Sequence, residues 1–247
     1  MTPYKQTLYV VWGNFLLFVL SSTYIQSWWL ALIAVPALYI FGCFSEVSIH
    51  RYYTHKSYET TVFKEKLLRV FAFLAGQGAI LSWVTVHRHH HAYEDGPKDP
   101  HSPFYHPWWK ILLGLFPQEY KKNLVVDLMR SPGWNYFIFE NKHYWLMWTA
   151  TWIISFLLSP YLFYFIVSGS AMWYIATSAV NIMNHGKKVG SVKYPETVAT
   201  NSVLMNIFTG IGHHNNHHKF PKKYSYSTGP EIDINGWIIK HFLMTKA

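Results

Sequence analysis

Residues 6–45 read QTLYVVWGNFLLFVLSSTYIQSWWLALIAVPALYIFGCFS, a run without a single Asp, Glu, Lys or Arg. A second run, 143–186, HYWLMWTATWIISFLLSPYLFYFIVSGSAMWYIATSAVNIMNHG, is equally free of them. One bilayer crossing needs roughly 20 apolar residues, so each run has room for two helices and the turn between them. The reading is four transmembrane helices in two hairpins, at about 7–24 and 28–47 and at about 143–158 and 161–183. Ser21-Ser22 and Ser159-Pro160 are the expected turns, with Ser168-Gly169-Ser170 the alternative in the second hairpin.

The 21 Lys and Arg and 12 Asp and Glu of the 247-residue chain all fall outside these runs, with a formal net charge of +9. Excess positive charge marks the cytoplasmic side of a membrane protein. Residues 48–142 and 184–247 are therefore expected to form a cytoplasmic helical cap, with both termini on that side. The length suits one integral-membrane domain over 1–247. The basic surplus suits anionic lipid head groups. No nucleic-acid motif accompanies it, so no nucleic-acid partner is expected. The first apolar segment is too long, and too closely followed by another, for a cleaved signal peptide. The endoplasmic reticulum and a bacterial inner membrane both suit this reading. Cys43 is the lone cysteine, which excludes internal disulfides, cysteine zinc sites and iron–sulfur clusters. Between the hairpins, 64–86 reads as one further apolar helix interrupted by Gly76 and Gly78, lying at the interface or against the spans. Residues 95–107 read as a loop, and 108–142, with Trp108, Trp109 and Trp134, as short amphipathic helices on the membrane surface.

Nine of the 15 histidines fall in a pattern: His50 and His55; His87, His90 and His91; His185; and His214, His217 and His218. Positions i, i+3 and i+4 share one helix face, which unites His87 with His90 and His91, and His214 with His217 and His218. Asn181 and His185 form an i, i+4 pair at the end of the fourth span. His50 and His55 are five apart and diverge on a regular α-helix, so one is expected on the last turn of the second span and the other just beyond it. Imidazole suits zinc, copper, iron and nickel. A single zinc takes three or four ligands. Nine imidazoles imply two metal ions, and iron is the choice for oxygen chemistry beside a hydrocarbon phase. His101, His106, His143 and His241, outside the pattern, read as ordinary hydrogen-bonding side chains. A metal transporter would want polar residues inside the spans, and these spans are almost free of ionisable groups.

These boxes resemble the membrane fatty-acid desaturase family, in particular its acyl-CoA and delta-9 type branch. The resemblance rests on His50-Arg51 and His87-Arg88, on Asn215-Asn216 inside the third box, on Asp99-Pro100-His101-Ser102 after the second, and on Phe220-Pro221. It covers essentially the whole chain. It implies two ferrous ions held by His50, His55, His87, His90, His91, His185, His214, His217 and His218, with Asn181 reaching one of them through water. Dioxygen is the implied co-substrate and a fatty-acyl chain the substrate. The implied reaction introduces a cis, delta-9 type double bond; an acyl hydroxylase or acetylenase is the alternative on the same site. The family's bent substrate tunnel maps onto Trp83, Gln77 and Thr177. The chain carries no haem domain, cysteine cluster or dinucleotide fingerprint, so a separate ferredoxin or small haem cytochrome is expected to supply electrons. Lys187, Lys188, Lys222 and Lys223 are candidate docking residues for it.

Three departures qualify the resemblance. Thr85-Val86 and Pro103-Phe104 stand where animal acyl-CoA members carry charges that grip coenzyme A. An acyl group on a membrane lipid or on acyl carrier protein therefore stands beside acyl-CoA as the donor. The third box follows Gly210-Ile211-Gly212-His213 instead of Gly-Glu-Gly and an aromatic, so His213 competes with His214 as a ligand. Glu46 sits one turn before His50, where it either orients that imidazole or reaches interfacial water.

Overall fold

The computed structural model describes all residues except 26–28, 118–119, 187–188 and 246–247. Two long helices open the chain, α1 (Pro3–Ile25) and α2 (Trp29–Ser45), and α2 runs on without a break as a π-helix, Glu46–Thr54. Then come α3 (Val62–Leu74), α4 (Ile80–Ala92), α5 (Trp108–Leu112) and α6 (Val126–Met129). The second long pair is α7 (Trp134–Leu158) and α8 (Pro160–Val180), the latter extended by a π-helical stretch, Asn181–Gly186. Then come three short helices, α9 (Val203–Thr209), α10 (His214–Lys219) and α11 (Ile234–Ile238), the last running on as a π-helical stretch, Ile239–Leu243. Among the described residues there is no strand, only one antiparallel bridge between Ser191 and Asn201.

Among the described residues, three helices are long and apolar enough to cross a membrane: Pro3–Tyr24, Trp29–Thr54 and Pro160–Gly186. α7 is not among them. Its first turns carry Glu140 and Lys142, and its backbone leaves helical geometry at His143 (φ −121°, ψ 15°). Leu16, Leu32, Ile154 and Leu162 project outward from the four long helices, as side chains facing lipid do. The helices touch where one side chain is absent. Gly42 lies against the Trp173 ring and Gly169 against Phe41, where a β-carbon would collide; small residues allow such close approach. Asn14 ties the bundle internally, donating to Ser170 Oγ at 2.9 Å and accepting from Trp152 Nε1 at 2.8 Å.

The second hairpin turns at Ser159-Pro160 as the sequence indicates. Ser159 Oγ caps α8 by accepting from the amides of Tyr161 and Leu162, and Pro160 suits the first helical position. The first hairpin differs. Ser21 and Ser22 lie inside α1, each hydroxyl folded back onto a carbonyl of the preceding turn (Leu17 O at 2.6 Å, Phe18 O at 2.8 Å). That back-bonding lets serine sit in an apolar helix without exposing a polar group. The alternative turn, Ser168-Gly169-Ser170, is likewise inside α8.

The single helix expected over 64–86 is two, because Gly76 and Gly78 adopt positive φ (72° and 124°), a conformation that ends a helix and that glycine adopts freely. The start of α4 is capped from α7: Glu140 Oε2 accepts the Ile80 amide at 3.0 Å, and Tyr144 Oη accepts the Gly78 amide at 3.1 Å. A further apolar core lies beside the histidine-bearing elements. Ile49 and Val47 from the π-helix, Leu68 from α3, Ile80, Leu81 and Val84 from α4, Leu128 from α6 and Phe137 from α7 pack together there. Burying each such side chain stabilises by about 1.5–3 kcal/mol, which fixes α4 and the end of α2 side by side.

Candidate metal centre

Four elements deliver the histidines. His50 and His55 stand on and just after the π-helix, His87, His90 and His91 on α4, His185 on the π-helical end of α8, and His214, His217 and His218 on α10. The π winding resolves the five-residue spacing of the first pair. Its hydrogen bonds run from i to i+5, and the His55 amide bonds the His50 carbonyl at 3.2 Å. The two rings therefore share a face, 5.0 Å apart.

The imidazoles collect into two groups. Ligand atoms of His50, His55, His87 and His217 lie within 4.8 Å of one another, as do those of His90, His185, His214 and His218. His91 belongs with the first, its Nε2 standing 2.9 Å from His217 Nε2 and 3.1 Å from His87 Nε2. All nine histidines of the sequence pattern are thus brought together. His213 is not: its Nε2 turns away to the Ile232 carbonyl at 2.9 Å, while His214 Nε2 stands 2.9 Å from His185 Nε2. His89 points off the opposite side of α4 towards Lys121.

The outer nitrogens explain why the inner ones converge. His50 Nδ1 lies 2.9 Å from both Glu46 oxygens, His90 Nδ1 2.7 Å from Asp99 Oδ2, and His185 Nδ1 2.8 Å from Asp95 Oδ2. His218 Nδ1 faces Glu94 Oε1 at 3.0 Å, within ion-pair range but off hydrogen-bond alignment. A carboxylate accepts, so it holds the proton on Nδ1 and leaves the Nε2 lone pair free, the arrangement that orients metal-binding histidines. Nε2 atoms then stand close at His185–His214 (2.9 Å) and His50–His217 (3.1 Å), and the carboxylate-held member of each pair, His185 or His50, cannot donate there. His55 Nε2 and His90 Nε2 are buried within the two groups and have no partner. Burying an unsatisfied polar atom is costly, and two cations placed among these nitrogens would satisfy them. The donor set therefore fits two imidazole-binding metal ions.

Burial, reinforced by the neighbouring imidazoles, holds His87, His90, His214, His217 and His218 well below the ordinary histidine range, and brings His91 down to about 3. All six are neutral at physiological pH, the state in which imidazole ligates metal.

A cavity opens beside both groups. Glu46, His50, His87, His214 and Asn181 line it, together with Trp83, Gln77 and Thr177. Gln77 bridges two spans, accepting from Ser45 Oγ and donating to Thr177 Oγ1, each at 2.8 Å. Trp83 stacks on His87 with ring centres 4.8 Å apart. His101, outside the nine-histidine pattern, has its ring buried 4.5 Å from that of His90 and lines the same cavity. His143 and His241 lie elsewhere, against Phe139 and Trp237.

The sequence reading did not assign Glu94, Asp95 and Asp99. Their signal is visible in retrospect, since three carboxylates follow the second box directly in a chain poor in acids. It also gave no role to the arginines beside the first histidines. Arg51 is fully buried and pairs with Asp233 at 2.7 Å, fastening the C-terminal segment beneath the first box. Arg88 donates to the carbonyls of Tyr53, Thr54 and Leu124 and to Asp127, clamping the end of the π-helix to α4.

The family model described as fatty acid desaturase matches residues 26–230. The chain is similar to the Delta-9 desaturase-like 2 protein of Arabidopsis thaliana, 31% identical over 79% of this chain and 67% of the relative. It is similar to the Delta(9)-fatty-acid desaturase fat-6 of Caenorhabditis elegans, 27% identical over 91% and 73%. It is also similar to the Acyl-CoA 5-desaturase AL21 of Anemone leveillei, 28% identical over 92% and 73%. The chain belongs to the fatty acid desaturase family and groups with its delta-9 desaturase-like members. It is accordingly an oxidoreductase, a fatty-acyl desaturase of the membrane.

Proposed function

We propose that the chain is a di-iron, dioxygen-dependent desaturase that places a cis double bond, of delta-9 type, in a saturated acyl chain. The observation that carries this is the pair of imidazole groups, largely buried and backed by four carboxylates. In this reading His50, His55, His87, His91 and His217 hold one iron, and His90, His185, His214 and His218 the other. Asn181 faces the second through water. Bound iron would supply the oxidising power for which no amino-acid side chain suffices. The overall balance takes one saturated acyl chain, dioxygen, two electrons and two protons to one unsaturated chain and two waters.

The protein's share is position. Glu46, Glu94, Asp95 and Asp99 fix the ring orientations. Trp83, held against His87, and the Gln77–Thr177 bridge bend the cavity beside the histidines, so that a saturated chain lies kinked there with one pair of methylenes nearest the metal. A kinked chain yields the cis alkene. The four long helices form two hairpins of one membrane domain, with both termini and the histidine-bearing cap on the cytoplasmic side. The relatives' names span a delta-9 and an acyl-CoA 5-desaturase, and the missing coenzyme A charges keep acyl-lipid, acyl carrier protein and acyl-CoA as donors. Electrons come from a separate ferredoxin or haem cytochrome. Of the lysines suited to docking it, Lys222 and Lys223 are exposed, and Lys187 and Lys188 lie outside the described residues.

Lipid analysis of a host without its own desaturase, expressing this chain, tests the proposal. A new cis monounsaturated acid supports it. A hydroxylated or acetylenic acid replaces it with the alternative chemistry.

A further inference from the structure

Tyr174, on α8 one turn before Ser178, lines two cavities at once. One is the cavity beside the histidines, about 80 Å³. The other is a pocket of about 140 Å³ between α1, α5 and α8, lined by Val11, Trp12, Phe15, Leu112, Ala171 and Ile175. The lining of the second is almost wholly apolar, and its α1 and α8 residues all lie within membrane-crossing segments. Its outer rim is open: Trp12, Phe15 and Ile175 are 38–40% exposed. Its inner wall is Tyr174, only 8% exposed. Ile111 and Phe116 face the first cavity and Leu112 the second, so the α5 segment forms the rest of the partition.

The partition is closely fitted. Gly114 follows α5 with φ +69°, and a β-carbon there would collide with the Tyr174 hydroxyl. A backbone that needs a glycine to pass over this side chain leaves it little room except into one cavity or the other. The histidine-lined cavity is also small. A single water requires about 10–15 Å³ on this measure, so 80 Å³ takes a short stretch of chain and no more. A long acyl chain reaching the histidines must continue into adjoining space, and the pocket behind Tyr174 is such a space, open at hydrocarbon depth.

We propose that the acyl tail of a membrane lipid enters sideways from the bilayer through the α1–α5–α8 pocket, passing Tyr174 to reach the histidine-lined cavity. The proposal rests on the acyl-desaturase reading for the identity of its ligand. It makes Tyr174 a gate and the rim residues a portal.

The test uses the full chain in phosphatidylcholine vesicles doped with a phosphatidylcholine bearing a diazirine on its acyl chain. Irradiation is expected to label Leu112 in the pocket and Val86, which lines only the inner cavity. Ile175→Trp fills the portal from its lipid-facing rim and is expected to cut Val86 labelling at least tenfold. A second variant guards against misfolding: Trp12→Cys with Ile175→Cys, in a Cys43→Ser background, closed by a reducible bis-maleimide. Closure is expected to abolish Val86 labelling and reduction to restore it. Both variants should lower unsaturated product at least tenfold in cells or membranes. Unchanged Val86 labelling and unchanged product with the portal closed would overturn the proposal and place entry at the aqueous face. Portal-dependent labelling without any product would uphold the portal and count against the desaturase reading instead.

Discussion

Both carboxylate oxygens of Glu46 stand 2.9 Å from His50 Nδ1, one turn back along the π-wound end of the second span. The pair is almost fully buried, and a carboxylate at the end of a span is costly unless partnered. Here it fixes the proton on Nδ1 and aims Nε2 inward. Loss of such a supporting carboxylate lowers metal affinity or activity about 10–100-fold. Glu46→Ala is expected to fall in that range in both bound iron and turnover, and Glu46→Gln, which keeps an acceptor, to fall less. Elemental analysis beside product yield measures this. Equal iron and activity in Glu46→Ala would mean that the carboxylate serves only its 3.5 Å contact with Arg51.

The third box offers a direct comparison between neighbours. His214→Ala and His217→Ala are expected to abolish turnover and reduce iron. His213→Ala is expected to keep both, because its ring bonds the Ile232 carbonyl and not the cluster. It forfeits one hydrogen bond worth about 1 kcal/mol. Parallel expression, metal content and lipid profiles of the three variants decide the assignment. An inactive, iron-poor but folded His213→Ala would reverse it.

At the far side of the cavity, Thr177→Leu removes the Oγ1 that accepts from Gln77 and adds bulk to the bend. The expected result is a change in the accepted chain length or in the position of the double bond, with iron retained. Mass spectrometry of derivatised fatty acids from the variant checks both. An unaltered product profile would remove the bend from this cavity.

The clamp on α4 gives a pH dependence. Burial works to raise the Asp127 carboxyl, but the hydrogen bonds and charge of Arg88, with Lys56, outweigh it and bring it down to about 2. An unfolded aspartate titrates near 3.9, so this group's contribution is fully present above about pH 4. It is lost as pH falls towards 2. Asp127 is more than a third exposed, which keeps the effect small. Asp127→Asn is expected to lower thermal stability in detergent slightly at neutral pH and to match the parent near pH 2, which flattens the acid limb. An acid limb identical in variant and parent would show that the clamp does not titrate.

How much of this the sequence revealed follows from the physics of each feature. Uncharged runs long enough to span a bilayer are visible because hydrocarbon excludes charge, and they correctly located α1, α2 and α8. The span read at 143–158 lies within α7, which mixes Glu140 and Lys142 with its apolar turns. Histidines at i, i+3 and i+4 announced their shared faces because α-helical geometry is regular. His50 and His55 did not, since a π-helix is a local departure that no residue pattern marks. Ser21 and Ser22 resembled a turn because side-chain back-bonding inside a helix is equally silent. The partners Asp95, Asp99 and Asp233 act across 9 to 182 residues of sequence, contacts that only the folded chain reveals.

The most direct test of the central claim is the metal content of the purified full chain, measured together with protein concentration. Two groups of converging imidazole nitrogens predict two irons per chain, falling together when His90 or His217 is replaced by Ala. One metal ion per chain, or none in protein that still forms unsaturated product, would contradict it.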